Sequence, residues 1–489
     1  MTGPERAARL RAALVRDDLL VDTVGELPTP TGITTDSRAV QPGAWFIAVR
    51  GSQQDGHRYL AAALERGAAG LVVESVEGLD GQPALVVRDG RLAAISLARA
   101  WYGDPGRQLR LVGVTGTSGK TTTTLLVRHL LNERHDAGSI GTLGAFDGEG
   151  GSVPSTAGSL TTPGPVDLQA TLAALVAAGV TRVAMETSSH SLDQGRLDGL
   201  RFDAGVFTNL SREHLDYHRT MEDYRLAKLK LLDLVVPGGV VAVNADDPAW
   251  ADLAGRADTI RFGMGPSAEL RAEGPVFLPT ESRFVLAGRF GSAEVTLPLP
   301  GEFNVANALA AAAVALGLGV PFATVVERLA VAPQVPGRME RLTETPCVIL
   351  RDYAHKPDAL ERVLHTLRPI TPGRVIALFG CGGDRDRGKR AVMGRIAAEL
   401  ADLTVVTSDN PRTEDPERII DEIVAGIPEG LEHRRITDRR AAIRWAIGEA
   451  RPGDTLLLAG KGHETYQVIG TEYLPFDERE IVADVVSGR

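Results

Sequence analysis

The stretch LRLVGVTGTSGKTTTTLLVRHLL, residues 109–131, decides the fold class of this 489-residue chain. Its apolar start at 109–114 predicts a buried strand, the glycine-rich residues 116–120 predict a loop, and 121–131 has helical spacing. A strand that runs through a glycine loop into a helix is typical of an α/β domain that binds phosphate.

The loop has the chemistry of an anion site. Its backbone N–H groups and the helix N-terminus form a cradle for phosphate, Lys120 adds a positive charge, and Thr121 can offer a hydroxyl to Mg²⁺. The usual pattern has a glycine five residues before Gly119, where this chain has Val114. A tight glycine turn without a ligand is the alternative, but the strand and helix on either side favour the phosphate site.

Strands and helices continue to alternate downstream of this loop. The predicted helices are 168–178 and 304–316, and the predicted strands are 180–185, 205–208 and 240–244. Strands separated by helices of this length indicate a parallel sheet with crossover connections.

Two further α/β units flank this one. The first has strands at 45–49 and 71–74 around a helix at 59–67, and it ends at the turn-rich residues 102–106. The last begins after the Pro/Gly-rich joint 333–337 and has apolar strands at 347–350, 375–379, 403–407 and 455–459. The predicted fold class is therefore α/β with three domains: a small N-terminal α/β domain at 1–106, a central P-loop parallel-sheet ATPase domain at 107–333, and a C-terminal Rossmann-like doubly wound domain at 334–489.

The length and net charge of the chain limit the classes of function that it can have. At about 100–200 residues per domain, the length agrees with about three domains. Lys plus Arg number 53 against 63 Asp plus Glu, and the net charge of −10 opposes binding to nucleic acid or anionic lipid. Any phosphate site must then be local, and we expect partners that are small molecules.

Cysteine usage and hydropathy indicate the compartment. Two cysteines, Cys347 and Cys381, are too few for a disulfide framework and fit a reducing environment. The N-terminus lacks the apolar region of a signal peptide. The uncharged stretch 304–326 is interrupted by glycine and proline, so it predicts a buried helix and a turn rather than a membrane span. We expect a cytoplasmic monomer.

Three candidate metal-binding residues follow two predicted strands of the central unit. Glu186 comes directly after strand 180–185, and His214 and Asp216 lie in NLSREHLDYH (209–218) after strand 205–208. Ligands of open α/β sheets gather at this edge. Each residue alone is more often a loop residue or helix cap, but their shared position favours a metal role.

Three loops follow strands of the last unit. GCGGDRDRGKR (380–390) places four cations behind a glycine turn, which favours an anion grip over a solvated charged loop. DNPR (409–412) places Arg412 where its guanidinium can hold a carboxylate by two hydrogen bonds. GKGHE (460–464) completes three loops at one edge of one sheet.

Seven motifs, in this order along the chain, resemble those of the Mur ligase family: GTSGKT (116–121), ETSSH (186–190), NLSREHLDYH, DYAH (352–355), GCGGDRDRGKR, DNPR and GKGHE. The resemblance covers all three units. It implies an N-terminal domain for a uridine nucleotide, a central ATPase domain and a C-terminal domain for the incoming amino acid. It also implies an ATP-dependent ligase of peptidoglycan synthesis that needs ATP and Mg²⁺. This ligase would add diaminopimelate, with the meso form favoured, to a UDP-muramoyl dipeptide through an acyl phosphate.

The same resemblance implies roles for matching residues. The ATP site would comprise Gly116, Thr117, Ser118, Gly119, Lys120, Thr121, Thr122, Asn304 and Asn307. The UDP-muramoyl dipeptide would contact Thr35, Ser37, Ser52, Gln53, Gln54, Thr161, Thr162, Ser188, Gln194 and Arg196. The diaminopimelate pocket would comprise Arg385, Asp409, Asn410, Pro411, Arg412, Gly460 and Glu464. Thr121, Glu186 and His214 would serve the metal, and Lys120, Lys228, His214 and Glu186 would be catalytic.

Four of these residues have a second interpretation or a special role. Lys228 matches the lysine that is carbamylated in the family, whereas the sequence alone predicts a surface lysine on a helix. Asn304 and Asn307 match residues near the adenine, but they can also cap a helix. A cation at Arg412 suits the carboxylate that diaminopimelate has and lysine lacks. Ala44 and Leu160 depart from common family residues at the nucleotide-sugar end.

Other functions remain open from the sequence. A lysine-adding muramoyl ligase and a folylpolyglutamate synthetase would share the acyl-phosphate chemistry, although residues 35–38 (TDSR) and DNPR disfavour the second. A P-loop ATPase that acts as a switch, and a nucleotide-sugar binding protein without activity, belong to other classes. The stereochemistry of diaminopimelate also stays open, because meso and LL forms share the groups that the named residues recognise.

Overall fold

The computed structural model describes residues 3–51, 54–154, 160–255 and 258–488. The chain separates into two compact units: Met1–Ala268 with Ala310–Val320, and Glu269–Leu309 with Pro321–Arg489. This division does not test the three predicted domain boundaries, which stay predictions.

The N-terminal part of the first unit is a five-stranded sheet with helices. The helices are α1 (Gly3–Arg16), α2 (Leu60–Glu65) and α3 (Gly90–Tyr102), and the strands are β1 (Leu20–Val24), β2 (Ile33–Thr34), β3 (Trp45–Ile47), β4 (Gly70–Val73) and β5 (Ala84–Val87). The strand order is β1-β5-β4-β3-β2, with β1 antiparallel to β5 and the other neighbours parallel. Every residue of β4 and β5 is buried, because their side chains enter a separate core cluster on each face of the sheet.

The rest of the first unit is built around a second, larger sheet. Its strands are β6 (Arg110–Thr115), β7 (Ala137–Gly141), β8 (Gly144–Phe146), β9 (Ser152–Val153), β10 (Arg182–Glu186), β11 (Phe202–Phe207), β12 (Val235–Asn244) and β13 (Thr259–Gly263). Its helices are α4 (Lys120–Leu131), α5 (Pro165–Ala177), α6 (Ser189–Asp193), α7 (Leu215–His218), α8 (Met221–Leu229) and α9 (Leu231–Leu234).

The order of these strands positions the site. From β13 to β7 the order is β13-β12-β11-β6-β10-β7, and all of these neighbours are parallel. β6 lies between β10 and β11, so the loops after these three strands meet at one edge of the sheet. The prediction of a parallel sheet is confirmed for this core. It missed the antiparallel strands β8 and β9, which are short and partly exposed.

The second unit contains an antiparallel meander and a six-stranded sheet. Its strands are β14 (Leu270–Phe277), β15 (Ser282–Gly288), β16 (Gly291–Leu297), β17 (Glu340–Thr343), β18 (Val348–Asp352), β19 (Val375–Phe379), β20 (Leu403–Val406), β21 (His433–Arg435), β22 (Thr455–Ala459), β23 (Tyr466–Ile469) and β24 (Glu472–Pro475). Its helices are α10 (Glu302–Gly317), which the two units share, α11 (Phe322–Ala330), α12 (Pro357–Leu367), α13 (Gly388–Leu400), α14 (Pro416–Val424), α15 (Arg439–Glu449) and α16 (Glu478–Val486).

The six-stranded sheet has the order β17-β18-β22-β19-β20-β21, and only β17 is antiparallel to its neighbour. Core clusters cover both of its faces, so the predicted doubly wound arrangement is confirmed. The strands β14, β15 and β16 were not predicted. Their alternation of buried and exposed residues is typical of antiparallel strands with one solvated face.

Among the residues that the structure describes, none of the helices combines the length and the apolar character needed to cross a bilayer.

Candidate active site

The glycine loop between β6 and α4 has the shape expected of a phosphate cradle. Gly116 has a φ of +145° and Gly119 a φ of +84°, conformations that favour glycine. A Cβ atom on Gly116 would overlap Thr208 Oγ1, because the loop after β11 packs directly on it. Gly119 precedes the first residue of α4, so the first-turn amides of this helix face the loop.

Asn209, in the loop after β11, fixes the cradle. Its carbonyl oxygen accepts from Thr117 N at 2.8 Å, its Oδ1 accepts from Ser118 N at 2.9 Å, and its Nδ2 donates to Ser118 O at 3.2 Å. Thr208 Oγ1 also donates to Ser118 O at 2.8 Å. Asn209 stood in a quoted motif, but sequence reasoning gave it no role.

Lys228 is buried against the same loop. It is 1% exposed, and its Nζ donates to Gly116 O at 2.7 Å and lies 4.3 Å from the centroid of the Tyr224 ring. Burial, and then the positive charge of Lys120, hold the pKa of the Lys228 ammonium well below its usual value. The sequence-only interpretation as a surface lysine is therefore wrong.

Lys120 and Lys228 share an acceptor. Lys120 Nζ donates to Gly116 O at 3.0 Å and to Thr117 O at 2.8 Å. Two amines therefore converge on one carbonyl oxygen, an arrangement that favours a neutral amine for the more deeply buried Lys228.

Glu186 ends β10 and is 1% exposed. Its Oε1 accepts from Thr142 N at 2.8 Å, and its Oε2 accepts from Thr142 Oγ1 at 3.2 Å. The same Thr142 hydroxyl lies 3.2 Å from Thr161 Oγ1, and Thr162 Oγ1 donates to Glu186 O at 2.8 Å. Glu186 is thus linked to two residues assigned to the dipeptide, to Thr161 through the Thr142 hydroxyl and to Thr162 through its own backbone oxygen.

Thr162 and three further residues assigned to the dipeptide form one hydrogen-bonded group. Arg196 donates from Nε to Gln194 Oε1 at 2.9 Å and from NH1 to Thr162 O at 3.2 Å. Ser188 N donates to Thr162 Oγ1 at 3.2 Å. Burial lowers the pKa of the Arg196 guanidinium from its usual value. The structure therefore brings Thr162, Ser188, Gln194 and Arg196 together beside Glu186.

Histidine and tyrosine rings line the same edge of the sheet. The ring of His190 lies 4.9 Å from that of His214 and 4.4 Å from that of Tyr217. His218 Nε2 lies 3.0 Å from Ser189 Oγ, and burial lowers the pKa values of both His190 and His218. Sequence reasoning missed His190 and His218, although both lie in quoted motifs.

The metal prediction can be tested for fit. Within the described residues, no group of three or more His, Cys, Asp or Glu side chains could hold a metal ion. Thr115 Oγ1 and Thr187 Oγ1, at the ends of β6 and β10, are buried without a hydrogen-bond partner in this part of the chain. Mg²⁺ is commonly held by one or two carboxylates, waters and substrate phosphates, so Glu186 beside a phosphate cradle fits this ion.

In the N-terminal sheet, Thr35 and Ser37 flank Asp36, which follows β2. Asp36 Oδ1 accepts from Arg38 N at 2.9 Å and caps a short 3₁₀ helix at Ser37–Ala39. Gln54 is exposed, and its Oε1 accepts from Tyr59 OH at 3.3 Å. Ser52 and Gln53 lie outside the described residues.

A second set of charged residues gathers in the second unit, after β20 and β22. Asn410 Nδ2 donates to Glu464 Oε2 at 2.9 Å. Lys461 is 0% exposed and donates to Asp409, Asn410 and Glu464. The structure therefore brings the DNPR and GKGHE loops together. Lys461 was missed because a lysine between two glycines has no periodic signal of burial.

Arg412 adopts a φ of +52°, and its NH1 donates to Gly383 O at 2.8 Å. Gly460, at the end of β22, also has a positive φ, +110°, and its N–H donates to Asp352 O. Pro411 O lies so close to Gly383 that a Cβ on that glycine would overlap it. These contacts hold the glycine turn after β19 against the DNPR loop.

The predicted four-cation anion grip in residues 380–390 needs correction. Arg390 is 0% exposed and is paired with Glu414 at 2.9 Å and Glu422 at 2.8 Å. Its hydrogen bond is the main cause that lowers the pKa of Glu414 to about 2. Arg387 also pairs with Glu414, and Lys389 Nζ donates to His355 O. These three cations are bound to protein acceptors, whereas Arg385 is exposed and stays a candidate.

Asn304 and Asn307 lie in the first half of α10, and both are buried. Asn304 Nδ2 donates to Pro300 O at 2.8 Å, as expected for a residue that stabilises the helix start. Their role at the adenine stays a prediction.

The chain matches three family descriptions: "Mur ligase family, catalytic domain" at residues 29–95, "Mur ligase middle domain" at 114–315 and "Mur ligase, glutamate ligase domain" at 337–462. It is 44% identical to a protein of Gloeobacter violaceus over 489 residues, which cover 99% of both chains. It is 45% identical to a protein of Geobacter metallireducens over 92% of this chain and 93% of the relative. The chain belongs to the Mur ligase family, and it is therefore an ATP-dependent ligase that forms an amide bond.

Both relatives are named UDP-N-acetylmuramoyl-L-alanyl-D-glutamate–2,6-diaminopimelate ligase. A solved structure described by the same enzyme name has a TM-score of 0.67 and 32% identity, and the match covers 96% of this chain and 97% of that one. These matches confirm the resemblance found in the sequence and the three-part α/β fold. The alternative of a P-loop ATPase without ligase activity is not supported.

Proposed function

We propose that the protein joins the side-chain carboxylate of D-glutamate in UDP-N-acetylmuramoyl-L-alanyl-D-glutamate to an amino group of meso-diaminopimelate, a step of peptidoglycan synthesis. Near-full-length relatives with this activity in their name support the substrates. The observation that carries the chemistry is the buried Lys228 of α8, whose Nζ lies 2.7 Å from Gly116 O of the phosphate loop.

The reaction needs an activated carboxylate. The γ-phosphoryl group of ATP passes to a carboxylate oxygen of the dipeptide, which gives ADP and an acyl phosphate. The neutral amine then attacks the acyl carbon, the bond to the phosphate oxygen breaks, and the amine loses a proton. The loop amides and Lys120 are placed to stabilise the charge on the transferring phosphate.

Mg²⁺ would be held by Thr121, Glu186 and His214 together with phosphate oxygens, and it would neutralise phosphate charge. Of these residues, Glu186 is buried at the sheet edge, and Thr121 lies in the first turn of α4. Thr142 holds the Glu186 carboxylate from two sides and so fixes its orientation.

Lys228 would act as a carbamate. A neutral amine attacks CO₂ through its nitrogen lone pair and releases a proton, and the depressed pKa of Lys228 makes the neutral form available. The product is a carboxylate-like group next to Lys120. It replaces an uncharged amine by a negative charge that would help to hold the metal.

The second unit would supply the amino acid. Asp409 and Glu464 offer carboxylates to an ammonium group, and Arg412 and Arg385 offer guanidinium groups to carboxylates. Diaminopimelate carries a carboxylate that lysine lacks, so Arg412 supports diaminopimelate over lysine as the substrate.

Phosphate release tests this function. We expect release only when ATP, the UDP-dipeptide and diaminopimelate are all present, with formation of the UDP-tripeptide. An amino-acid panel of meso-, LL- and DD-diaminopimelate and L-lysine then defines specificity, and a preference for lysine would contradict the substrate. Omission of Mg²⁺ tests the metal, and light scattering of the purified protein tests the expected monomer. The cytoplasmic location stays a prediction, which fractionation of the producing cells would test.

A further inference from the structure

Lys461 lies deep in the second unit, in the loop after β22, and is 0% exposed. Its Nζ donates to Asp409 Oδ1 at 3.3 Å, to Asn410 Oδ1 at 3.1 Å and to Glu464 Oε2 at 3.2 Å. An ammonium group has three N–H donors, and these three acceptors use all of them. Lys461 therefore has no donor left for a ligand.

The three acceptors belong to two separate loops. Asp409 and Asn410 follow β20, whereas Glu464 lies in the same loop as Lys461. Asn410 Nδ2 also donates to Glu464 Oε2, at 2.9 Å. Two donors thus hold one oxygen of this carboxylate, while Glu464 Oε1 has no hydrogen-bond partner among the residues described.

The hairpin of β23 and β24 is hydrogen-bonded to the loop that carries Asp409 and Asn410. Val468 N donates to Asn410 Oδ1 at 2.9 Å, and Gln467 Nε2 donates to Asp409 O at 2.6 Å. The backbone of Arg412 is bonded to this hairpin in both directions, through Val468 O and Gly470 N. The strained φ of Arg412 is therefore maintained by β23, and the carboxylates by Lys461.

We propose that Lys461 is a positioning residue of the amino-acid pocket, which holds the side chains of Asp409 and Glu464 in the orientation that binds an ammonium group of the substrate. This inference rests on the proposed function. Lys461 supplies the positive charge that lets two carboxylates lie close together. Because its ammonium is buried and fully bonded, it does so without competing for the carboxylates of the substrate.

Replacement of Lys461 by methionine keeps the length of the side chain and removes the charge. The two carboxylates then lose their common counter-ion, and Glu464 Oε2 loses one of its two donors. Loss of a hydrogen bond between charged groups costs about 10- to 100-fold in an equilibrium constant. We expect KM for diaminopimelate to rise by about this factor.

The decisive readout separates the two halves of the reaction. Acyl-phosphate formation needs ATP and the UDP-dipeptide but no amine, and it is followed by isotope scrambling between the bridging and non-bridging oxygens of labelled ATP. We expect Lys461→Met to keep this partial reaction within about twofold of the wild type, since ATP and the dipeptide are assigned to other residues. Lys356→Met, at an exposed lysine of the same unit, is the control and should change neither readout.

A double-mutant cycle tests the energetic coupling between Lys461 and Glu464. Glu464→Gln alone should raise KM for diaminopimelate, and adding Lys461→Met to it should cost less than Lys461→Met costs in the wild type. If Lys461→Met does not fold, Lys461→Gln is measured in its place with the same expected result.

An unchanged KM for diaminopimelate, or equal losses in scrambling and in amine capture, would overturn the role of Lys461. Additive effects in the cycle would also contradict it. A wild-type protein that shows no diaminopimelate-dependent product would instead refute the proposed function, so the two failures are distinguishable.

Discussion

Lys228→Met is the sharpest test of the chemistry at the phosphate loop. The side chain is buried, and its Nζ shares Gly116 O with Lys120 Nζ at 2.7 and 3.0 Å. The two nitrogens are therefore within about 6 Å, where two positive charges would repel by about 3 kcal/mol at an effective dielectric constant of about 20. The neutral amine avoids this repulsion, and a carbamate on Lys228 adds an attraction of similar size to Lys120.

Methionine can neither form the carbamate nor supply its charge. A loss of about 3 kcal/mol of stabilisation in the transition state corresponds to a fall of roughly 100-fold in kcat. The assay is phosphate release with the UDP-dipeptide and diaminopimelate at saturation. Lys230→Met is the matched control. Lys230 lies two residues after Lys228 in the chain, but its side chain is exposed and pairs with Asp193.

Carbon dioxide provides an independent readout. Wild-type activity should fall in CO₂-depleted buffer and return on addition of bicarbonate, whereas Lys228→Met should not respond. Activity should also fall as the pH drops through the lowered pKa of Lys228, because the protonated amine does not react with CO₂. Without CO₂, the unfolding free energy should rise with pH between that lowered pKa and the unfolded value near 10.5, since the unfolded state binds more protons there.

Two results would refute this reasoning. Activity of Lys228→Met within about twofold of Lys230→Met would show that Lys228 contributes no charge to the reaction. Wild-type activity that is insensitive to CO₂ would show that the lysine acts without carbamylation.

Arg412→Ala should raise KM for diaminopimelate by about 10- to 100-fold and reduce its preference over L-lysine, because the guanidinium bond to a carboxylate is lost; an unchanged preference would contradict the assignment. Gly116→Ala should abolish ATP binding measured by calorimetry, since its Cβ would overlap Thr208 Oγ1 and its φ is +145°; retained affinity would show that the loop adapts. Arg390→Met should lower the unfolding free energy in denaturant titrations by about 3 kcal/mol, because Glu414 would lose its buried partner, and a loss below about 1 kcal/mol would mark the pair as a surface one.

Much of the fold could be predicted because buried parallel strands are continuous apolar runs. The strands 375–379 and 455–459 were predicted with the bounds that the structure has. The strands β14, β15 and β16 have more exposed residues between their buried ones and lack the long apolar runs that marked the others. A hydrophobic pattern with a period of two residues in this segment was the sequence signal for these three strands.

The burial of Lys228 also had a signal in the sequence. The buried residues of α8 are Tyr224, Ala227 and Lys228, at spacings of three and four residues. Thr220 caps this helix by accepting from Asp223 N, so the start of the helix, and with it the face, could be assigned. A lysine on the apolar face of a helix in a phosphate-binding unit indicates a functional group rather than a solvated one.

Lys461 had no comparable signal, because its partners Asp409 and Asn410 come more than fifty residues earlier in the chain. Only the parallel pairing of β19 with both β20 and β22 brings these loops to one edge of the sheet. The same holds for Asn209, whose bonds to the phosphate loop span more than ninety residues. The sequence motifs therefore identified the loops of the two sites. The order of the strands in each sheet determined which side chains stabilise those loops.

The two buried lysines show how a chain of net charge −10 binds several anions. Lys228 has no ion-pair partner among the described residues, its pKa is lowered, and its charge is available for chemical change. Lys461 has two carboxylates within 3.3 Å, so it stays a fixed counter-ion. The same residue type thus serves two different steps of the proposed reaction, because Lys228 makes no ion pair among the described residues, whereas Lys461 pairs with two carboxylates.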